Sequence, residues 1–141
     1  NSVSERFVIG HCTWVLLKTQ WIFGSGQAAV QPALDACYAQ FNDPRYGDGS
    51  YSTHNQFLHW WLAFGVLGAV LFMALFLFPL RMAWLTGDAR LAAFLIFVLI
   101  CCTTENLLAR QWGVVPFAFL ISLLSPSLFA GTRAARARSQ R

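Results

Sequence analysis

Three long runs of apolar residues dominate the second half of the chain. The longest, residues 57–80, carries no charge, and as a helix rising about 1.5 Å per residue it would reach about 36 Å. A bilayer presents about 30 Å of hydrocarbon, so this run predicts a transmembrane helix. The other two runs are residues 91–104 and 112–130. The last contains Pro116 and Pro126, which membrane helices can accommodate when neighbours satisfy the backbone.

The first half of the chain has a different pattern. Residues 7–17 form an uncharged run too short to cross a bilayer, which favours an interfacial or partly buried helix. Residues 24–53 are rich in glycine, proline and aspartate, a composition typical of a loop outside the hydrocarbon, with a short helix predicted at 33–41. Residues 81–90 contain Gly87 and Asp88 and predict a short polar hairpin between two spans.

Together these patterns predict an all-α integral membrane protein with about three transmembrane helices and an N-terminal periplasmic or interfacial helix and loop. The expected organisation is a periplasmic helix and loop at 1–56, a three-span membrane region at 57–131 and a basic cytoplasmic tail at 132–141. Because the chain starts at Asn1 and not at a methionine, we expect it to be the C-terminal part of a longer protein.

Composition excludes two broad classes of protein. The chain is 57% hydrophobic and only 11% charged, whereas a soluble domain carries about 25% charged residues. This balance argues against a water-soluble globule and against a disordered chain. The net charge of +4 is compatible with nucleic-acid binding, but the arginines are placed as topology determinants of a membrane protein.

The predicted spans divide the charged residues unequally between the two sides of the membrane. On one side six arginines face a single acid: Arg81, Arg90, Arg133, Arg136, Arg138 and Arg141 against Asp88. The positive-inside rule places that side in the cytoplasm, so residues 1–56 and the turn at 105–111 face the periplasm. Cys12 and Cys37 then share an oxidising compartment, where a disulfide is permitted, although the sequence leaves their pairing open.

This topology gathers five polar residues at one membrane face: Arg6, His54, Asn55, Glu105 and Arg110. Ionisable groups near membrane depth are costly, which makes them functional candidates. Arginine offers a forked donor to phosphate oxygens, and histidine can accept a proton near neutral pH. These residues therefore suit an anionic substrate.

Each candidate also has a structural interpretation. Arg6 can serve as an interfacial anchor that extends to the membrane surface. His54 and Asn55 can serve only to cap the helix that follows, because asparagine is a good N-cap. Glu105 can pair with Arg110 as a structural tie across the turn.

The order of these features resembles the C-terminal region of the O-antigen ligase and polymerase superfamily. The chain has an arginine-headed helix, a Gly-Ser-Gly turn at 24–26, a Gly- and Pro-rich external loop, and His54-Asn55 with Leu58. Gly65 and Gly68 follow in the same span, and Glu105 matches a glutamate usual near the outer end of a later span. The resemblance covers roughly residues 4–125.

The resemblance implies a membrane glycosyltransferase, part of a GT-C-like polytopic fold, without a cofactor. It would transfer a glycan from a polyprenyl diphosphate donor to lipid A core, a glycan or a protein, at the periplasmic face of the bacterial inner membrane. No metal-ligand set is visible in the sequence, so we expect the transfer to be metal-independent. Because a GT-C active site needs the upstream helices, we expect this piece to be inactive by itself. Arg6 and His54 would be catalytic. Asn55, Glu105 and Arg110 would contribute to substrate binding, with Asn55 holding the His54 loop. The expected partners are these substrates and the lipid bilayer, and no nucleic acid.

Two other classes of protein stay open at this point. The first is a small three-span scaffold or transporter subunit, in which the polar residues are anchors and structural pairs. The second is a haem- or metal-binding membrane protein that uses His11, His54 and His59. His54 and His59 lie about 140° apart around a helix, which argues against a shared metal site.

Overall fold

The computed structural model of the protein describes residues 2–41 and 51–124, and every regular element within them is helical. The α-helices are α1 (Ser2–Gln20), α2 (Gln27–Tyr38), α3 (Gln56–Thr86), α4 (Ala89–Thr104) and α5 (Gln111–Leu124). Short 3-10 turns lie at Ala39–Phe41 and Leu107–Ala109. The all-α prediction is confirmed for the described part of the chain. Predictions for residues 42–50 and 125–141, including Pro126 and the basic tail, lie outside it.

The segment expected to be mostly loop, residues 24–53, contains the helix α2. This helix begins at Gln27, whereas the sequence predicts a short helix that begins at residue 33, so the predicted start of the helix is wrong. Val30, Leu34 and Tyr38 recur at every fourth position and are buried, so they form one face of the helix. Pro32 lies inside α2. The glycine and proline content of this segment therefore indicated a loop although its apolar residues recur with the period of an amphipathic helix.

The polar hairpin expected at 81–90 is also wrong in extent. Helix α3 continues to Thr86, since arginine, methionine, alanine and leucine are good helix formers. The turn itself is confined to Gly87 and Asp88. Gly87 has a positive φ of 72°, and Asp88 caps α4 by accepting the Leu91 N–H at 3.1 Å.

Helix α3 is, among the described residues, the helix that is long and apolar enough to cross a membrane. Only 33% of its most apolar window is buried, so α3 is not the enclosed core helix of a compact globule. Helices α4 and α5 are apolar but shorter, at 16 and 14 residues. Three spans therefore stay a prediction.

The chain divides into two compact units. The first contains α1, α2, the part of α3 up to Met73 and residues Cys102–Asn106. The second contains α3 from Ala74, α4 up to Cys101, and the chain from Leu107 onwards. In the second unit, Phe117 lies between two aromatic rings, 5.6 Å from the Phe76 centroid and 6.0 Å from the Phe94 centroid.

The core of the first unit lies where α1, α2 and the start of α3 meet. Its buried hydrophobic residues are Ile9, Cys12, Leu17, Val30, Leu34, Tyr38, Leu62 and Ala63. A disulfide between Cys12 and Cys37 joins α1 to α2, which answers the pairing that the sequence left open. The α1–α2 pair is therefore a covalently closed helical hairpin.

Helix α3 is broken at Gly65, whose φ of 66° and ψ of −162° are not helical. This region of backbone conformation is essentially restricted to glycine. A Cβ atom at Gly65 would overlap the main-chain carbonyl of Ile22, so the turn that follows α1 reaches into the break.

The break would leave backbone groups without helical partners, and such groups are costly in a lipid environment. The chain after α1 supplies those partners through three hydrogen bonds: Ser25 N–H to the Leu62 carbonyl (2.7 Å), Gly26 N–H to the Ala63 carbonyl (2.9 Å), and Val66 N–H to the Trp21 carbonyl (2.9 Å). The Trp61 indole N–H also donates to the Trp21 carbonyl at 3.0 Å. The Gly-Ser-Gly turn and the broken helix are thus one joint.

Candidate functional site

The polar residues before α3 begin the candidate site, and Asn55 has two structural tasks there. Its Oδ1 accepts the backbone N–H of Phe57 at 3.0 Å and of Leu58 at 3.1 Å, which is an N-cap. Its Nδ2 donates to the Thr103 carbonyl at 3.2 Å, which ties the start of α3 to the end of α4. The cap interpretation is confirmed for Asn55.

His54 has a left-handed backbone with a φ of 47°, which is uncommon for a residue other than glycine. The neighbouring Thr53 hydroxyl donates to the Asn55 carbonyl at 3.0 Å and lies 3.2 Å from Asn106 Oδ1. Thr53 and Asn106 are both buried. The buried Thr53–Asn106 pair therefore holds the turn that carries His54.

The His54 side chain is directed to the end of α4. Its Nδ1 lies 3.4 Å from Glu105 Oε2, and the two side chains are 38% and 56% exposed. The side-chain partner of Glu105 is therefore His54. The alternative tie between Glu105 and Arg110 joins residues of different units and stays a prediction.

A cleft of about 210 Å³ lies beside this turn, within the first unit. Arg6 reaches it from α1, and His54 and Asn55 reach it from the start of α3; the other lining residues are Ile9, Gly10, Thr53, Thr103 and Thr104. Arg6 is exposed and makes no hydrogen bond or ion pair with the residues that the structure describes. An unpaired guanidinium in an open cleft is available to an anion.

Arg110, the remaining predicted site residue, lies in the second unit and is exposed. Its carbonyl accepts the N–H groups of Gly113 and Val114, each at 3.0 Å, so its backbone starts α5. The structure thus brings Arg6, His54 and Asn55 to one cleft, adds Glu105 through His54, and does not include Arg110 among the cleft residues.

Sequence reasoning missed Thr53, Thr103 and Asn106. The signal available was a pair of similar polar triplets: Thr-His-Asn at 53–55, just before one apolar run, and Thr-Glu-Asn at 104–106, where another apolar run ends. Pairing these triplets requires the spatial proximity of two helix ends, which one sequence does not provide.

The other two histidines have separate partners. His59 Nε2 lies 3.1 Å from Gln27 Oε1, and the His11 ring packs edge-on against Phe41. Within residues 2–41 and 51–124, no three His, Cys, Asp or Glu side chains form a group able to hold a metal ion. The chemistry that these described residues offer is anion binding by a guanidinium and proton transfer by an imidazole beside a carboxylate.

Comparison with known proteins adds one match. A family model described as O-antigen ligase matches residues 1–73, slightly more than half of the chain. The matched segment includes Arg6, His54, Asn55 and the joint at Gly65, whereas Glu105 follows it. No curated protein and no solved structure matches the chain.

Proposed function

This chain belongs to the O-antigen ligase family, and from that membership we propose that it forms part of a membrane glycosyltransferase. The enzyme transfers a glycan from a polyprenyl diphosphate donor to a hydroxyl of lipid A core, a glycan or a protein. One observation carries the proposal: Arg6 and His54, far apart in sequence, line one cleft.

Arg6 binds the diphosphate of the donor in this proposal. Negative charge grows on the diphosphate as it leaves the sugar, and a cation fixed beside it stabilises the transition state more than the ground state. The guanidinium suits this task because it presents several donors to phosphate oxygens and stays charged at every physiological pH. Its lack of a partner among the described residues supports the assignment.

His54 acts on the acceptor. Its imidazole takes the proton of the acceptor hydroxyl while that oxygen forms a bond to the anomeric carbon. The bond between the anomeric carbon and the diphosphate oxygen breaks, and its electron pair leaves with the diphosphate. No metal ion is needed for this balance.

Asn55 holds the His54 turn, because both of its amide atoms are already engaged with backbone groups. This is the role that the resemblance implies for Asn55, and direct substrate contact by Asn55 stays a prediction. For Arg110, which belongs to the second unit, substrate contact stays a prediction.

A membrane location follows from the family, which consists of bacterial membrane proteins. We propose that α3, α4 and α5 are the three spans and that the cleft faces the periplasm. Large exposed apolar side chains along α3, such as Leu67, Val70 and Phe78, suit lipid contact. The Cys12–Cys37 disulfide supports an oxidising compartment for the α1–α2 hairpin.

The test is activity of the complete gene product in membrane vesicles, with the lipid-linked glycan of its host as donor. We expect Arg6→Ala and His54→Ala each to lower kcat/KM at least about 100-fold, the usual scale for losing an electrostatic or acid–base group. Matched controls are Lys18→Ala, another exposed cation on α1, and His11→Ala, another exposed histidine.

Membrane insertion of every variant is checked by fractionation. The proposal is wrong if Arg6→Ala and His54→Ala insert normally and keep full activity. In that case the three-span scaffold becomes the better interpretation, with Arg6 as an anchor and His54 as part of a helix cap.

A further inference from the structure

Three consecutive residues before α3 each contact the end of α4. Asn55 donates to the Thr103 carbonyl, His54 faces the Glu105 carboxylate, and the Thr53 hydroxyl lies 3.2 Å from Asn106 Oδ1. All of these residues belong to the first unit. The two segments run in opposite chain directions along these contacts, so the residues before and after His54 in the chain are both tied to the end of α4.

The backbone of His54 shows that this support matters. A left-handed conformation of a residue other than glycine persists where the surrounding structure determines it. Here the determining contacts are the buried Thr53–Asn106 pair on one side and the Asn55 tie on the other. The backbone that carries the imidazole is therefore held by the fold, and the imidazole contacts Glu105 from that backbone.

The charged groups around the imidazole are Glu105, from the end of α4, and Arg6, which lines the same cleft from α1. A carboxylate beside Nδ1 favours the tautomer with the proton on Nδ1, which leaves the Nε2 lone pair to accept a proton. The same carboxylate stabilises the imidazolium that forms afterwards.

We propose that Glu105 is a positioning residue for His54: its carboxylate holds the Nδ1 proton, so that Nε2 takes the proton of the acceptor hydroxyl. This inference rests on the proposed function and changes the expected role of Glu105, which acts through His54 and does not bind the substrate. The proton balance of the transfer is unchanged. The proton moves from the acceptor oxygen to Nε2, and the Nδ1 proton stays with His54.

The experiment compares Glu105→Gln and Glu105→Asp in the complete gene product. Glu105 is half-exposed, so neither change removes a core contact. Because a residue that orients a catalytic histidine affects turnover, we expect Glu105→Gln to lower kcat about 10–100-fold with KM nearly unchanged, and Glu105→Asp to restore part of kcat. Asp88→Asn is the control, because it removes a carboxylate of the second unit and keeps an oxygen to cap α4.

A second readout reports the tautomer directly. The complete gene product is labelled with ¹⁵N-histidine, and the signals that disappear in His54→Ala are those of His54. We expect the His54 nitrogen shifts to show the Nδ1–H form in the parent protein and a mixture of tautomers in Glu105→Gln.

A rise in KM at constant kcat would overturn the inference, because it would mean that Glu105 binds substrate. Parent-like kinetics or unchanged tautomer signals in Glu105→Gln would overturn it as well. His54→Ala separates the two proposals. An inactive His54→Ala beside a fully active Glu105→Gln refutes only the role of Glu105, whereas a fully active His54→Ala refutes both.

Discussion

Replacing Gly65 by alanine tests the joint between the Gly-Ser-Gly turn and α3. The backbone at Gly65 lies in a region that costs a residue with a Cβ about 1–3 kcal/mol. The new Cβ would also overlap the Ile22 carbonyl, and both sides of that contact are main chain. Rotamer changes therefore cannot relieve the overlap, and the two segments must separate.

Separation would break the three backbone hydrogen bonds of the joint, each contributing about 1 kcal/mol. The expected loss of stability for Gly65→Ala is thus about 4–6 kcal/mol. Gly26→Ala is the matched control. Gly26 has a similar backbone, with φ 85° and ψ 144°, but a Cβ there meets nothing within 4 Å. Its expected loss is the strain alone, about 1–3 kcal/mol.

Thermal unfolding in detergent measures the difference, with a maleimide dye that fluoresces when it reacts with a thiol. Cys102 is fully buried and serves as the reporter, while Cys12 and Cys37 are protected in their disulfide. Cys101 is a free, partly exposed thiol, so every variant also carries Cys101→Ser. At roughly 2–8 °C per kcal/mol, Gly65→Ala should unfold at least about 6 °C below Gly26→Ala. Equal unfolding temperatures for the two variants would refute the argument that the backbone contact, and not the glycine conformation, holds the joint.

Two further substitutions test the supports of the site through stability. Changing Cys12 and Cys37 together to serine should lower the free energy of unfolding by about 3–4 kcal/mol, the value for a closed loop of 25 residues. The unfolding temperature is measured without reductant, and a value equal to that of the parent protein would contradict the disulfide. Asn55→Ala should cost about 1 kcal/mol through loss of the α3 cap, whereas Asn55→Asp keeps a capping oxygen and should cost less. Both are measured by the same thermal assay, and equal losses for the two Asn55 variants would argue against the cap.

Sequence reasoning succeeded where the deciding interaction is local. The apolar run after Asn55 is enough to predict α3, because the cap and the hydrophobic stretch are adjacent in the chain. Sequence reasoning fails at the end of α3, where the charge of Arg81 predicts the start of a polar turn and the helix continues to Thr86. Arginine continues a helix readily, and the helix stops only at Gly87.

The candidate site was predictable to a similar degree. Arg6 and His54 could be assigned to one membrane face from the charge distribution alone, and the cleft brings both of them together. The contact between His54 and Glu105 spans 51 residues and depends on how two helix ends meet. The break at Gly65 likewise involves the Ile22 carbonyl, which approaches from the turn after α1, 43 residues earlier in the chain. Neither contact is encoded in a local pattern.

The contact between the Gly-Ser-Gly turn and α3 also bears on how this sequence can diverge. A Cβ at Gly24 would lie 2.5 Å from the Gly65 nitrogen and 2.6 Å from the Ala63 carbonyl carbon, so both partners are main-chain atoms that no side-chain change can move. A side chain introduced at Gly24 or at Gly65 therefore cannot be accommodated by a second substitution at the other position, because the overlapping atoms are main chain. Lineages that keep this joint must inherit both glycines unchanged, while the exposed apolar positions of the same helix, such as Leu67 and Val70, are free to drift among apolar residues.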